Sequence, residues 1–117
     1  MAHARFQIHR LGELGMTWRF LSANNRTIAQ SPTPFPDADL CRDAVRDLRE
    51  RLAEASVVVA RGDSAQLWLW RVRIAGSDVA VSSRKYHRRV QAAYASRCFL
   101  ELVGATGISD APRLLHS

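Results

Sequence analysis

The sequence predicts an α+β fold: two tandem βββα units, related by a pseudo-twofold axis, form one two-layer domain in which both helices pack on one face of an antiparallel sheet. Each half carries a Trp-Arg motif, then a serine, then an aromatic residue four positions after the serine. In the first half these are Trp18-Arg19-Phe20, Ser31 and Phe35, and in the second half they are Trp70-Arg71-Val72, Ser82 and Tyr86. Each aromatic precedes a segment with helical periodicity. This agreement in order and spacing predicts an internal duplication with a period of about 50 residues.

Alternating apolar and polar residues predict three strands in each half. The predicted strands are 5–9, 16–22 and 27–31 in the first half, and 57–60, 66–74 and 79–82 in the second. Successive side chains of a strand point to opposite faces of the sheet. The tryptophans of the second strands are therefore expected to face the helices, because aromatics at alternate positions are typical of a core.

The first helix has clear boundaries in the sequence. Prolines at 32, 34 and 36 prevent an earlier start, and Asp37 or Asp39 can cap a helix that runs to about 54. Its predicted apolar stripe is Leu40, Cys41, Ala44, Val45, Leu48 and Leu52. The second helix is expected at about 89–103, with Gly104 available to cap its end.

Length and composition favour one domain over residues 1–117, with repeat one at about 5–54, repeat two at about 55–104 and a flexible C-terminal tail at 105–117. A unit of about 50 residues is marginally stable alone, so the repeats should share a core. Cys41 and Cys98 are both expected to be reduced thiols buried in the core. The sequence has no apolar stretch of about 18 residues and its N-terminus does not resemble an export signal, so we expect a cytoplasmic protein with no membrane contact.

Beyond these patterns, the residues resemble the YegP-like family, small proteins of unknown function in which a βββα unit occurs singly or in tandem. The first-copy matches are Trp18, Phe20, Ala23, Asn24, Ile28, Ser31, Phe35, Cys41, Ala44 and Val45, and those of the second copy are Trp70, Val72, Val79, Ser82, Tyr86 and Phe99. The resemblance covers about residues 5–104. It implies the tandem fold and brings no known reaction, cofactor or catalytic residue.

Positive charge is concentrated in the second half of the chain. The net charge is +6, and residues 55–117 hold nine basic and four acidic side chains, against eight and seven in residues 1–54. The strongest local feature is what we call the basic cluster: Arg84, Lys85, His87, Arg88 and Arg89. Cations at a helix N-terminus oppose the helix dipole by about 0.3–1 kcal/mol each, so the basic cluster is a candidate anion-binding site.

Strand alternation predicts a second basic surface, on the sheet face that points away from the helices. We call Arg19, Arg71 and Arg73 the sheet-face arginines, and Arg5 and His9 could lie beside them. Such a surface could follow a nucleic-acid backbone, although it lacks the aromatics that stack on bases in RNA-binding sheets. The alternative for the basic cluster is a solvated basic loop. The alternative for the sheet-face arginines is that the other half or a dimer partner covers this face and the arginines are salt-bridged.

The leading functional hypothesis is a small non-enzymatic interaction module with an arginine-rich surface in repeat two, whose partner is an acidic protein or another anion. The second hypothesis is a nucleic-acid-binding protein that uses the basic cluster and the sheet-face arginines. An enzyme with a site between the repeats would need a deep polar pocket containing Tyr86 or His87. No catalytic, metal or cofactor motif is recognisable in the sequence, and a homodimer is left open.

Overall fold

The computed structural model describes residues 3–62, 66–106 and 113–114. The strands are β1 (Arg5–Arg10), β2 (Met16–Leu21), β3 (Thr27–Gln30), β4 (Ser56–Arg61), β5 (Trp68–Ile74), β6 (Ser77–Ser82) and β7 (Arg113–Leu114). The helices are α1 (Ala38–Glu50) and α2 (Arg89–Ala105), and short 3₁₀ turns occupy Gly12–Leu14 and Leu52–Glu54. The predicted α+β fold with two βββα units is confirmed.

One sheet joins the two repeats, with strand order β4-β5-β6-β3-β2-β1-β7. The third strands of the repeats, β3 and β6, lie side by side at its centre and run antiparallel, with Ala29 opposite Ser82 and Gln30 opposite Val81. From this seam the order reads third, second and first strand in both directions, as a pseudo-twofold relation between the repeats requires.

The repeats also match at the level of single hydrogen bonds. The backbone of Phe35 exchanges hydrogen bonds of 2.7 and 2.8 Å with Met16, and that of Tyr86 exchanges two bonds of 2.7 Å with Trp68. The serine hydroxyl of each repeat accepts a hydrogen bond from the backbone N–H of a tryptophan. Ser31 accepts from Trp18 at 3.4 Å, and Ser82 accepts from Trp70 at 3.3 Å. The serine and the aromatic that mark the duplication therefore fix the same turn before each helix.

A single hydrophobic core contains residues of both repeats. Phe99 on α2 packs edge-on against Phe20 of repeat one, with 5.3 Å between ring centroids, and at a tilt of 32° against Trp70 of repeat two, with 5.1 Å between centroids. Trp18 and Trp70 are almost completely buried on the same side of the sheet. Both helices therefore lie on one face, and the repeats share their core as the chain length predicts.

The helices bury equivalent positions. Cys41, Val45 and Leu48 of α1 correspond to Ala92, Ser96 and Phe99 of α2, and all six are buried. The expected α1 stripe is wrong at one residue, since the side chain of Leu40 is 47% exposed. Leu40 lies about 100° around the helix from Cys41, which places it at the rim of the buried face.

The ends of both helices and the C-terminal segment differ from the sequence expectation. α1 ends at Glu50 and continues as the 3₁₀ turn over Leu52–Glu54, while α2 extends through Gly104 to Ala105. Gly104 is thus part of the helix, and a β-carbon there would lie 3.3 Å from Leu52, so the glycine permits close packing. In the segment expected to be a flexible tail, Arg113–Leu114 pairs in parallel with β1. This pairing covers an edge strand that would otherwise have unpaired backbone groups. Residues 107–112 and 115–117 lie outside the described residues.

Candidate functional site: the basic cluster and the outward sheet face

The structure places the whole basic cluster on the surface. All five side chains are exposed, from Arg84 to Arg89. The cluster follows β6 and leads directly into α2, and its position is fixed by Tyr86, the half-buried residue whose backbone pairs with Trp68. Within the described parts of the chain, none of the five side chains forms an ion pair.

The equivalent helix start in repeat one has the opposite charge. Asp37 caps α1 by accepting a 2.9 Å hydrogen bond from the Leu40 N–H, and Asp39 lies in the first turn. In α2 the cap position is Arg88, whose N–H donates to the Gln91 side chain at 3.2 Å, and the first turn has no acidic residue. The positive end of the α2 dipole therefore faces uncompensated cations.

The sheet-face arginines lie on the outward face, but they do not form one free basic surface. Arg73 donates to Asp78 at 2.8 Å in an ion pair, and the Nε of Arg19 donates to the side-chain oxygen of Gln7 at 3.1 Å. Arg71 is half-buried between two valines of the neighbouring strands, Val58 and Val81. Arg5 and His9 are half-buried on the same face of β1.

The outward face differs between the repeats. A continuous cross-strand row runs over six strands in the order Val58, Arg71, Val81, Gln30, Arg19 and Gln7. The arginine is retained at the same place in both repeats. Its neighbours along this row are two valines in repeat two and two glutamines in repeat one, so only Arg19 has polar neighbours on both sides of the row.

A groove with a cavity volume of about 420 Å³ lies over this polar half, and we call it the polar groove. The polar side chains that line it include His9, Thr17, Arg19, Gln30, Ser31 and Ser83. Sequence reasoning identified Arg19 and His9 but not the others. The comparison of repeats could have found the groove, since the repeat-two equivalents of His9, Thr17 and Gln30 are the apolar residues Ala60, Leu69 and Val81.

His9 is the electrostatically perturbed residue of the polar groove. Its pKa lies below the ordinary value of 6.5, first because burial disfavours the charged imidazolium and second because Arg19 is a neighbouring cation. Its Nδ1 is buried and has no hydrogen-bond partner in the described part of the molecule. The imidazole lines the groove, whereas this nitrogen is shielded from solvent.

Cys41 and Cys98 are both free thiols, but only Cys41 is fully buried. Burial raises the pKa of Cys41 to about 11, which disfavours its reactive thiolate. Residues 3–62, 66–106 and 113–114 contain no group of three potential metal ligands. Over the same residues, no helix has both the length and the apolar character needed to cross a membrane.

Two solved structures share this architecture. A UPF0339 protein from Shewanella oneidensis, determined by solution NMR, has a TM-score of 0.70 at 10% sequence identity, covering 97% of this chain and 92% of its own. YegP from E. coli, a protein of unknown function also determined by solution NMR, has a TM-score of 0.64 at 13% identity, covering 97% and 94%. No protein-family model and no curated protein sequence matches the chain. The family resemblance seen in the sequence is thus confirmed at the level of the fold, and the chain has the YegP-like fold.

Proposed function

We propose that this protein is a non-enzymatic cytoplasmic interaction module that binds an acidic partner protein through the basic cluster. The observation that carries the proposal is the free positive charge at the start of α2. Five exposed basic side chains meet a helix terminus that has no acidic residue in its first turn. An acidic segment bound there would relieve repulsion that the folded chain leaves uncompensated.

Three arginines in α1 and at its C-terminal cap provide the contrast that supports this assignment. Arg42, Arg46 and Arg51 all lie within 4 Å of carboxylates of their own helix or of the following turn, at 3.1–3.6 Å. Such exposed pairs contribute little stability, but they neutralise the local charge. The basic cluster has no comparable partners among the described residues, so its charge is available for intermolecular contacts.

Nucleic-acid binding is the second candidate, and the outward sheet face supports it less well than the charge count suggests. Arg73 is already paired with Asp78, and Arg71 is flanked by Val58 and Val81. The large exposed apolar residues of the described chain are Leu11, Leu14, Leu40, Val90 and Tyr94. None of them belongs to a strand, so this sheet lacks the base-stacking residues of an RNA-binding sheet.

The test is fluorescence anisotropy with three labelled probes: a polyglutamate peptide, random single-stranded RNA and duplex DNA, each at about 50 and 200 mM salt. We expect the acidic peptide to bind at low salt and to weaken at high salt. The triple variant Arg84→Ala/Arg88→Ala/Arg89→Ala should lose this binding. The matched control, Arg42→Ala/Arg46→Ala/Arg51→Ala, removes the same charge from ion-paired sites and should retain most of it.

Each outcome decides between the candidates. If both triple variants lost binding of the acidic peptide to the same degree, binding would depend only on the net charge of the protein. That result would refute a site at the start of α2. Tighter binding of RNA or DNA than of the acidic peptide, with a log–log salt slope of about 0.7–0.9 per phosphate, would favour the second candidate. No binding of any probe at low salt would overturn both.

A further inference from the structure

We propose that the polar groove of repeat one binds a small hydroxylated anion, a molecule with one carboxylate or phosphate group and several hydroxyls. This site lies on the opposite side of the sheet from the helices and is independent of the proposed function of the basic cluster. Its volume of about 420 Å³ is within the range of small-ligand pockets, about 300–1,000 Å³.

The anion would be bound by donors that the fold leaves unused. Arg19 uses its Nε for Gln7, and its two terminal nitrogens make no hydrogen bond within the described residues. Gln30 lies directly opposite Arg19 in the β2–β3 register. The guanidinium and the amide are thus adjacent on one wall, and a planar guanidinium matches the geometry of a carboxylate or phosphate.

A hydrogen bond from repeat two determines which end of the Gln30 amide remains free. The hydroxyl of Ser83 donates to the Gln30 side-chain oxygen at 3.2 Å. With its oxygen engaged, Gln30 has its two N–H donors available to a ligand. The site therefore requires both repeats, since Ser83 belongs to the loop that follows β6.

The rest of the wall is suited to hydroxyl groups. Thr17 and Ser31 form a hydroxyl–hydroxyl hydrogen bond on the groove wall, and each hydroxyl can both donate and accept. His9 adds an imidazole, a ring with hydrogen-bonding nitrogens, to the same wall. Pro32 and Pro34 add apolar surface at the same end, where the C–H face of a compact ring could pack.

The duplication supplies a natural comparison for this site. Arg71 occupies the position of Arg19 in repeat two, but its outward neighbours are Val58 and Val81 and it does not line the polar groove. The same sheet position thus exists twice, once surrounded by hydrogen-bonding groups and once by valines. Arginine alone does not distinguish the two places, whereas the surrounding polar groups do.

The experiment is an NMR titration of the full-length protein with gluconate, glucose 6-phosphate and neutral glucose, following the side-chain N–H signals of Arg19 and Gln30. We expect saturable shifts of these signals with at least one of the two anions and much weaker shifts with glucose. Gluconate and glucose 6-phosphate distinguish a carboxylate ligand from a phosphate ligand. Inorganic phosphate, titrated separately, tests whether the hydroxyls contribute, and it should bind more weakly than the preferred hydroxylated anion.

Two variants test the assignment of residues. Arg19→Gln should weaken binding by about tenfold or more, because it removes a charge-assisted hydrogen bond, whereas Arg71→Gln should bind like the wild type. Gln30→Val introduces the residue that repeat two uses at this position of the same sheet, so it should fold and lose affinity.

The proposal is overturned if neither anion produces saturable shifts at these signals, or if glucose binds as well as the anions. Equal losses of affinity in Arg19→Gln and Arg71→Gln would also refute it. The triple variant of the basic cluster should bind the small anion normally, so this proposal and the proposed function can fail separately.

Discussion

The two repeats resemble each other where their side chains face the helices and differ where their side chains face solvent. Trp18 and Trp70 occupy the same buried place, and Leu48 and Phe99 do so on the helices. In contrast, the N-cap of α1 is the acidic Asp37, whereas the N-cap of α2 is Arg88. Packing in the core has thus limited the divergence of the duplicated unit, and functional differences are expected on its surfaces.

The contrast between the inward and outward faces has a physical reason. Inward residues must fill a common close-packed volume, in which a change of even one methylene affects stability. Outward residues contact solvent or a ligand, so Gln30 in one repeat can correspond to Val81 in the other without disturbing the core. Four experiments test this contrast between the repeats.

The largest expected effect is at Phe99, the ring that contacts both repeats. Phe99→Ala should reduce the free energy of unfolding by about 4 kcal/mol, because it leaves a large cavity between Phe20 and Trp70. Urea unfolding followed by tryptophan fluorescence measures the loss. Leu48→Ala, at the equivalent position of α1, is the control, and we expect it to cost about 3 kcal/mol. A loss below 1 kcal/mol for Phe99→Ala would contradict a core shared through this ring.

The second effect concerns the turn between the first two strands of repeat one. Gly15 has a φ of +115°, and a β-carbon there would overlap the carbonyl oxygen of Phe35. Gly15→Ala should therefore cost about 3 kcal/mol. Gly12→Ala should cost only about 1 kcal/mol, since Gly12 has a φ of +55° and no atom within 4 Å of the added carbon.

This turn is also a place where the repeats differ in length. Leu11 N–H bonds to the Gly15 carbonyl at 2.7 Å, whereas Gly62 N–H bonds to the Leu67 carbonyl at 2.9 Å, one residue further along. The extra residue in repeat two lets a leucine occupy the place of the glycine. Denaturant midpoints for the two alanine variants provide the comparison, and equal midpoints would show that the close approach to Phe35 is unimportant.

A smaller effect is expected in the hairpins between the second and third strands. Repeat one places Asn25 at a φ of +65°, but repeat two places Ala75 at +52°, followed by Gly76 at +81°. Asparagine tolerates this left-handed conformation better than alanine, and Asn-Gly is favoured in such two-residue turns. Ala75→Asn should therefore raise the unfolding free energy by about 1 kcal/mol, and Asn25→Ala should lower it by a similar amount. If both variants left thermal stability unchanged, backbone strain would not distinguish the hairpins.

The smallest effect is a change in the pKa of His9. Burial and the charge of Arg19 hold this pKa below 6.5 in the folded chain, so the native state takes up the proton at lower pH than the unfolded state. Stability from this group is present above about pH 6.5 and is lost as pH falls towards the folded pKa. An NMR titration of the imidazole should show the low midpoint, and Arg19→Gln should raise it whereas Arg71→Gln should not. A midpoint at or above 6.5 in the wild type would contradict the structure.

Sequence patterns predicted the strands, the helices and the inward residues because these depend on local periodicity. Alternation around Trp18 and Trp70 is sufficient to orient both second strands, and the prolines before Asp37 determine where α1 can begin. The ion pair of Arg73 with Asp78 was not predictable in the same way, because the register of β5 and β6 shifts between Val72 and Arg73. That shift is a property of the folded hairpin and has no separate signature in the sequence.

The polar groove was not predicted for a related reason. Its residues come from several strands and loops, and each is an ordinary surface residue when taken alone. Only the pairing of β3 with β6 brings Ser83 close enough to donate to Gln30. The basic cluster, in contrast, is contiguous in sequence and could be recognised there, although its role stays a prediction.

The two edges of the sheet differ, and this has a consequence for how the molecule opens. β1 is covered by Arg113–Leu114, whereas in the described part of the chain β4 pairs only with β5. Val57 and Val59 on β4 are only half-buried, although they pack against the core. Local opening should therefore begin at β4, and its backbone amides should exchange hydrogen with solvent before those of β2 and β3. We therefore expect repeat two to open locally while repeat one stays folded. The two repeats would then differ in their free energy of local unfolding within one folded chain.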